Sequence, residues 1–214
     1  MTTTCLADPA APGELLRLLM DGLTGAGLDA RLLDGVDGCR LDIACPGARC
    51  TLAVGDCGSA EWEYWPCSRE DADPGLTADL ATALLTGCTG PQPRLGGGRQ
   101  RGNVTFKGIV GLELKARGLD VELAVYQDED AFDAFAEIVA TVPGSGDDGQ
   151  VWVTDGGGLT WIRDYQAETA AIDSGPGFCG STVDPASVAS SVVEAVTRAM
   201  SCLRPAEAGR PGHG

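Results

Sequence analysis

Val54-Gly55-Asp56-Cys57-Gly58-Ser59-Ala60-Glu61-Trp62 and Val153-Thr154-Asp155-Gly156-Gly157-Gly158-Leu159-Thr160-Trp161 are two occurrences of one pattern, Val-x-Asp-x-Gly-x-x-x-Trp. An aspartate and a glycine set between an apolar residue and an aromatic one read as a tight turn feeding a β-strand. A turn that recurs in one chain directs attention to its surroundings, because a repeated context signals a repeated structural unit.

Outward from the first copy, Leu15, Leu16, Leu18, Leu19 and Leu23 mark an amphipathic helix that closes at Gly25 and Gly27. Strands are expected at Asp29–Leu33, Cys39–Cys45, Cys50–Val54 and, after the turn, Glu61–Trp65. Asp73-Pro74 then supplies an N-cap carboxylate with proline at the first helical position, opening a helix through Leu76, Leu80, Leu84 and Leu85.

Outward from the second copy the same order returns. A helix with Phe106, Ile109, Val110, Leu112 and Leu114 ends at Gly118, and Leu119–Tyr126 reads as a strand. Gly27-Leu28-Asp29 matches Gly118-Leu119-Asp120, Pro46-Gly47 matches Pro143-Gly144, and Asp73-Pro74 matches Asp184-Pro185, which is followed by Val188, Val192, Val193 and Val196. Phe132, Phe135, Ile138, Val139 and Val142 fit a helix as readily as a strand. The matching stretch around Leu41 and Ile43 alternates, so Ala134–Val142 is read as a strand preceded by an acidic connection, Asp128–Asp133.

The expected fold is therefore α+β, a tandem duplication of a helix–antiparallel meander–helix unit with pseudo-twofold character. The units occupy residues 10–87 and 104–203, joined by a Gly/Pro linker at 88–103 and followed by a disordered tail at 204–214. A flexible linker of that length spans on the order of 20–25 Å and leaves the units able to move. Glu168–Val183 has no counterpart in the first half and reads as a long loop. Two helices cover one face of a four-stranded sheet, so the other face is exposed, packed on the second unit, or packed on a partner.

The chain has 214 residues, 43 % of them hydrophobic, which is enough for a real core. Its net charge of −16, from 31 acidic and 15 basic residues, repels phosphate backbones and anionic lipid alike. The expected partner is another protein with a basic or apolar face, not nucleic acid or a membrane. No signal segment or membrane-length apolar run is evident, so the expected location is cytoplasmic, as a monomer or homodimer. The scarcity of lysine, Lys107 and Lys115 against 13 arginines, suggests a high-GC genome.

Nine cysteines, an odd number, argue against a complete disulfide framework. Cys39, Leu41, Ile43 and Cys45 alternate along one strand face, and Cys50, Leu52 and Val54 along the next, so these cysteines read as small core residues. The gaps from Cys39 to Cys67 are five, four, six and nine residues, without the close pairs of a zinc site.

Catalytic signatures are missing at the same level. The single histidine, His213, sits in a Pro-Gly-His-Gly tail, which removes Ser-His-Asp and Cys-His arrangements. Gly177-Phe178-Cys179-Gly180-Ser181 lacks a neighbouring base, and Gly96-Gly97-Gly98 lacks the strand and the Lys-Ser/Thr of a phosphate loop. No cofactor or metal is expected. Asp128, Glu129, Asp130, Asp133 and Glu137 read as a charged face. Trp62 and Trp161 occupy equivalent repeat positions and read as core anchors, whereas Trp65 and Trp152 have no equivalents. Trp65, Trp152, Tyr126, Asp128, Asp130 and Asp133 are accordingly the candidate partner contacts.

This unit order resembles that of the YbjN family and of type III secretion chaperone-like folds, small acidic proteins whose helix–sheet–helix units pair and bind other proteins. The second half, from Gly108-Ile109-Val110-Gly111 through Trp161-Ile162-Arg163, also looks like uncharacterised actinobacterial proteins of that general type. The resemblance implies a non-catalytic protein-binding module, chaperone-like or a regulatory adaptor, and assigns no residue. The alternatives are an acidic immunity or antitoxin-like inhibitor of a basic nuclease or toxin, and an enzyme working with carboxylates alone, Asp128, Asp130 and Asp133 among them.

Overall fold

The computed structural model describes residues 11–33, 40–54, 59–89, 105–127, 134–144, 149–154, 156–165 and 184–203. Helix α1 (Ala11–Gly25) leads into strands β1 (Ala30–Leu32), β2 (Arg40–Ile43), β3 (Ala48–Val54) and β4 (Ser59–Pro66), then a 3₁₀ turn at Arg69–Asp71 and helix α2 (Pro74–Thr86). Helix α3 (Phe106–Ala116) leads into β5 (Asp120–Gln127), β6 (Ala134–Thr141), β7 (Gln150–Val153) and β8 (Leu159–Asp164), and helix α4 (Pro185–Leu203) follows. The protein is thus α+β, with four α-helices and one eight-stranded antiparallel sheet among the described residues. The strand expected at Ala134–Val142, ambiguous by periodicity, is present as β6, Ala134–Thr141. The connection Asp128–Asp133, most of the linker, the Glu168–Val183 segment and the tail after Leu203 lie outside the described residues.

The strand order is β1-β2-β3-β4-β8-β7-β6-β5. Each meander ends on a strand whose free edge would leave a row of backbone donors and acceptors unpaired, and β4 and β8 satisfy one another by pairing antiparallel from Ser59↔Asp164 to Tyr64↔Leu159. The meanders therefore meet edge to edge within a single sheet and do not stack sheet on sheet. One continuous hydrophobic cluster runs beneath both. Units moving freely on a linker are not what this packing provides.

Strand alternation sorts the sheet into two faces. Leu32, Leu41, Leu52, Trp62, Trp161, Val151, Ala140 and Val121 are successive partners across all eight strands. The adjacent row on the same face is Ala30, Ile43, Cys50, Tyr64, Leu159, Val153, Ile138 and Leu123. The inner members are buried, while the outermost leucines stay open, Leu32 at 47 % and Leu123 at 64 % exposure, each on an edge strand that has a neighbour on one side only.

The helices lie on this apolar face. Helix α2 buries Thr77, Ala78, Leu80, Ala81, Thr82, Ala83 and Leu84, residues from almost its whole circumference, as expected for a helix enclosed on several sides. It packs on α3, α4, β7 and β8, so a helix from the first half covers strands of the second. Helix α4 carries the amphipathic stripe Val188, Val192, Ala195, Val196 and Ala199, and it packs against α1 and α2. At the α1–α4 crossing Gly22 admits Val193, whose Cγ2 lies 2.7 Å from where a Cβ on Gly22 would be.

Local signals behave as their chemistry requires. The Asp73 carboxylate accepts from the amides of Gly75 and Leu76 at the start of α2, and that of Asp184 accepts from Ala186 and Ser187 at the start of α4. Gly27 and Gly118, which follow α1 and α3, both hold left-handed backbone, with φ of 78° and 81°.

Where α2 meets α3, charge is buried. The Arg117 side chain is fully enclosed, with its guanidinium 2.8 Å from Asp79 and 3.7 Å from Glu113, and it donates to the Thr82 hydroxyl at 3.1 Å. No described helix is long and apolar enough to cross a membrane.

Candidate functional site

The face opposite the helices is the surface that positions the candidate residues. One row of partners crosses it completely: Arg31, Asp42, Thr51, Glu63, Thr160, Trp152, Val139 and Glu122. A second row runs Arg40, Ala53, Glu61, Ile162 and Gln150. These residues are mostly half-buried or exposed, in contrast to the buried rows next to them. Of the alternatives for the second face, the structure realises the uncovered one as far as the described helices go.

Charge is unevenly distributed over this face. On β1–β4, Arg31, Arg40 and Arg49 stand among Asp42, Glu61 and Glu63. Arg31 is 2.9 Å from Asp29, whose hydrogen bond and charge hold its guanidinium pKa above the ordinary value. Glu63 accepts from the Thr51 hydroxyl at 2.7 Å and lies 3.8 Å from Arg40. That pair of contacts explains why Thr51 is buried on an otherwise open face. On β5–β8, alternation puts Asp120, Glu122, Glu137 and Asp164 on the same side, with no basic residue at any described position there. Arg163 points the other way, its guanidinium 4.9 Å from the centre of the Tyr165 ring, whose hydroxyl donates to Ser191.

Apolar surface interrupts the acids. Trp152, Val139 and Ile162 are half-buried, and Trp65 is 39 % exposed. Trp65 lies over the β7–β8 turn, with a ring atom 2.4 Å from where a Cβ on Gly158 would stand. Neighbouring Gly157 has a φ of 82° and faces Ala72 and Pro66. Trp65 thus closes the seam between the two meanders while keeping part of its ring in solvent. Trp152 shares its face, one strand beyond Thr160. Tyr126 is placed by its backbone alone, opposite Phe135, and its side chain lies outside the described residues, as do Asp128, Asp130 and Asp133. Trp62 and Trp161, the expected anchors, are fully buried partners in the β4–β8 ladder.

The described polar groups of this face spread along rows across the sheet. Among the described residues no three His, Cys, Asp or Glu side chains cluster as a metal site. The carboxylates that matter here, Asp120, Glu122 and Asp164, were not among the sequence candidates, though a tally of alternate strand positions would have found them. No protein-family model, curated protein or solved structure matches the chain.

Proposed function

We propose that this chain is a non-catalytic protein-binding module, a chaperone-like or regulatory adaptor, whose uncovered sheet face receives a basic, partly apolar segment of another protein. The observation that carries this reading is the β5–β8 half of the face, where Asp120, Glu122, Glu137 and Asp164 surround Trp152, Val139 and Ile162 with no described basic residue among them. An acidic surface accelerates encounter with a cationic partner, and a half-buried indole between carboxylates supplies the contact that holds it. The net charge of −16 acts in the same direction at longer range.

The test is capture from native lysate by the full chain, followed by cross-linking to locate the contact. The expected partner is basic at the contact, is released by raised salt, and is lost with Glu122→Lys, Glu137→Lys and Trp152→Ala combined. Undiminished capture by that triple variant, correctly folded, removes this face from consideration. A second reading, an acidic inhibitor seated on a basic nuclease or toxin, draws on the same charge asymmetry and is distinguished by whether the captured partner's activity is blocked.

The duplication belongs to this proposal as well. Its supports are the strand order, which runs inward identically from either edge, and the opposition of Trp62 and Trp161 at the centre. Paired local devices add to it: capped Asp73 and Asp184, and left-handed Gly27 and Gly118, Gly47 and Gly144. Superposition of residues 28–66 on residues 119–164 in an experimental structure should require a rotation close to 180°. A rotation far from that would remove the symmetry.

A further inference from the structure

The sheet has two outer edges, and they are unlike. At one end β1 is three residues long, with Arg31 held by Asp29 beside it, a short charged edge of the kind that discourages strand pairing. At the other end β5 runs for eight residues, Asp120–Gln127, about 26 Å of extended chain, and all eight pair in unbroken register with β6. Among the described residues no strand pairs with its other side. β5 contains no proline, glycine or lysine, and its helix-side positions Val121 and Leu123 are apolar, so its own residues carry none of the devices that blunt a sheet edge.

The side chains of β5 divide by charge. Asp120 and Glu122, both exposed, point to the uncovered face, while Val121 and Leu123 point to the helix side, where Leu123 is 64 % exposed. An open groove of about 580 Å³ is lined by Lys115, Gly118, Leu119, Asp120, Val121 and Glu122. Since Val121 and its two neighbours point to opposite sides of the sheet, a groove touching all three follows the edge itself. Lys115 is the basic member of that lining and belongs to α3, not to the strand. A second copy of this chain is a poor occupant: β5 has two acids and no base, so β5 against β5 would bring like charges together between molecules of net charge −16. A strand of opposite sign meets attraction there instead.

Resting on the reading of this chain as a protein-binding module, we propose that the outer edge of β5 takes up an extended segment of the partner as an added strand, one in which lysine or arginine alternates with apolar residues. The outward amides and carbonyls of β5 hydrogen-bond the incoming backbone, which supplies affinity without regard to sequence. Alternation then supplies the choice. Basic side chains fall beside Asp120 and Glu122, and apolar ones beside Val121 and Leu123. A slip of one residue would exchange the two sets, so the charge pattern fixes the register.

The probe is a short synthetic peptide alternating lysine and valine, offered to the full chain. Binding should slow hydrogen exchange at alternate amides of β5. N-methylating the peptide at all its lysines or at all its valines should abolish binding in one case and spare it in the other, because only one set of amides faces β5. Leu123→Glu should weaken binding roughly tenfold although it adds negative charge, since its carboxylate would be buried beneath the added strand. Exposed as Leu123 is, that variant should keep the wild-type melting temperature. Peptide bound with no change in β5 exchange, and with both methylated forms tolerated, would overturn strand addition while leaving the uncovered face as the binding surface. Protection of β5 that rises with protein concentration in the absence of peptide would give the edge to a second copy and equally overturn it. Failure of the unmodified peptide to bind also overturns it, and capture from lysate then judges the protein-binding reading separately.

Discussion

Trp62 and Trp161 face one another as direct partners in the β4–β8 ladder, and neither exposes any surface. Each indole is anchored in its own meander, through Leu52 and Val151, so the pair forms the place where the two meanders become one sheet. Trp62 also stacks on Tyr64, with ring centroids 6.4 Å apart.

Trp161→Ala should cost about 3–5 kcal/mol, the loss expected for a fully buried aromatic side chain. For a chain of this size that lowers Tm by roughly 6–20 °C. Since one core serves both halves, the melt should remain a single transition by far-UV and near-UV circular dichroism. A first half that stays folded while the second melts would contradict the shared core.

Gly158→Ala should destabilise by about 1–3 kcal/mol, because the new methyl would enter the space of the Trp65 ring. In a Trp65→Ala background most of that cost should vanish. Chemical denaturation of the four proteins of this cycle measures the coupling, and additive effects would mean the ring does not press on the turn.

Arg117→Ala should cost about 3–5 kcal/mol, since Asp79 and Glu113 would lose the buried cation that faces them. Replacing all three together with apolar residues of similar volume should recover most of the loss. If the single and triple variants were equally unstable, packing and not charge would account for the effect.

Asp184 is a helix cap whose carboxyl pKa lies below the ordinary value, first because the Ser187 hydroxyl donates to it and then because two backbone amides do. A depressed carboxylate contributes its stability above the unfolded-state pKa and loses it as pH falls through the folded one. The stability advantage of wild type over Asp184→Ala should therefore be constant near neutrality and shrink on acidification through the carboxylate range. Urea unfolding at a series of pH values reads this directly, and an advantage that grew in acid would reverse the assignment.

Glu122→Lys and Glu137→Lys should each change folding stability by no more than about 0.5 kcal/mol, as ordinary surface substitutions do. Equilibrium unfolding of these variants separates loss of partner binding from loss of fold. A large destabilisation would mean that the acidic half-face is structural.

Much of this architecture was legible in the residues alone. Capping by Asp73 and Asp184, the left-handed turns at Gly27 and Gly118, and the alternation of Leu41, Ile43, Leu52 and Val54 all act within a few residues of chain. Even β6, ambiguous in its own periodicity, was readable through its match with the first half. The candidate face was legible in part: Trp65 and Trp152 do share it, whereas Asp120, Glu122 and Asp164 are spread over separate strands and stand out less in the sequence than the dense run Asp128–Asp133.

Other relationships had no local trace. The pairing of β4 with β8, the resting of Trp65 on Gly158 and the enclosure of Arg117 between α2 and α3 each join groups whose meeting depends on the assembled layers. Short-range sterics and periodicity set which segments become helix or strand and which way each side chain points. A strand edge offers the same donors and acceptors to any neighbour, so the choice of partner falls to long-range burial, here to two tryptophans that leave water together when the two meanders close into one sheet.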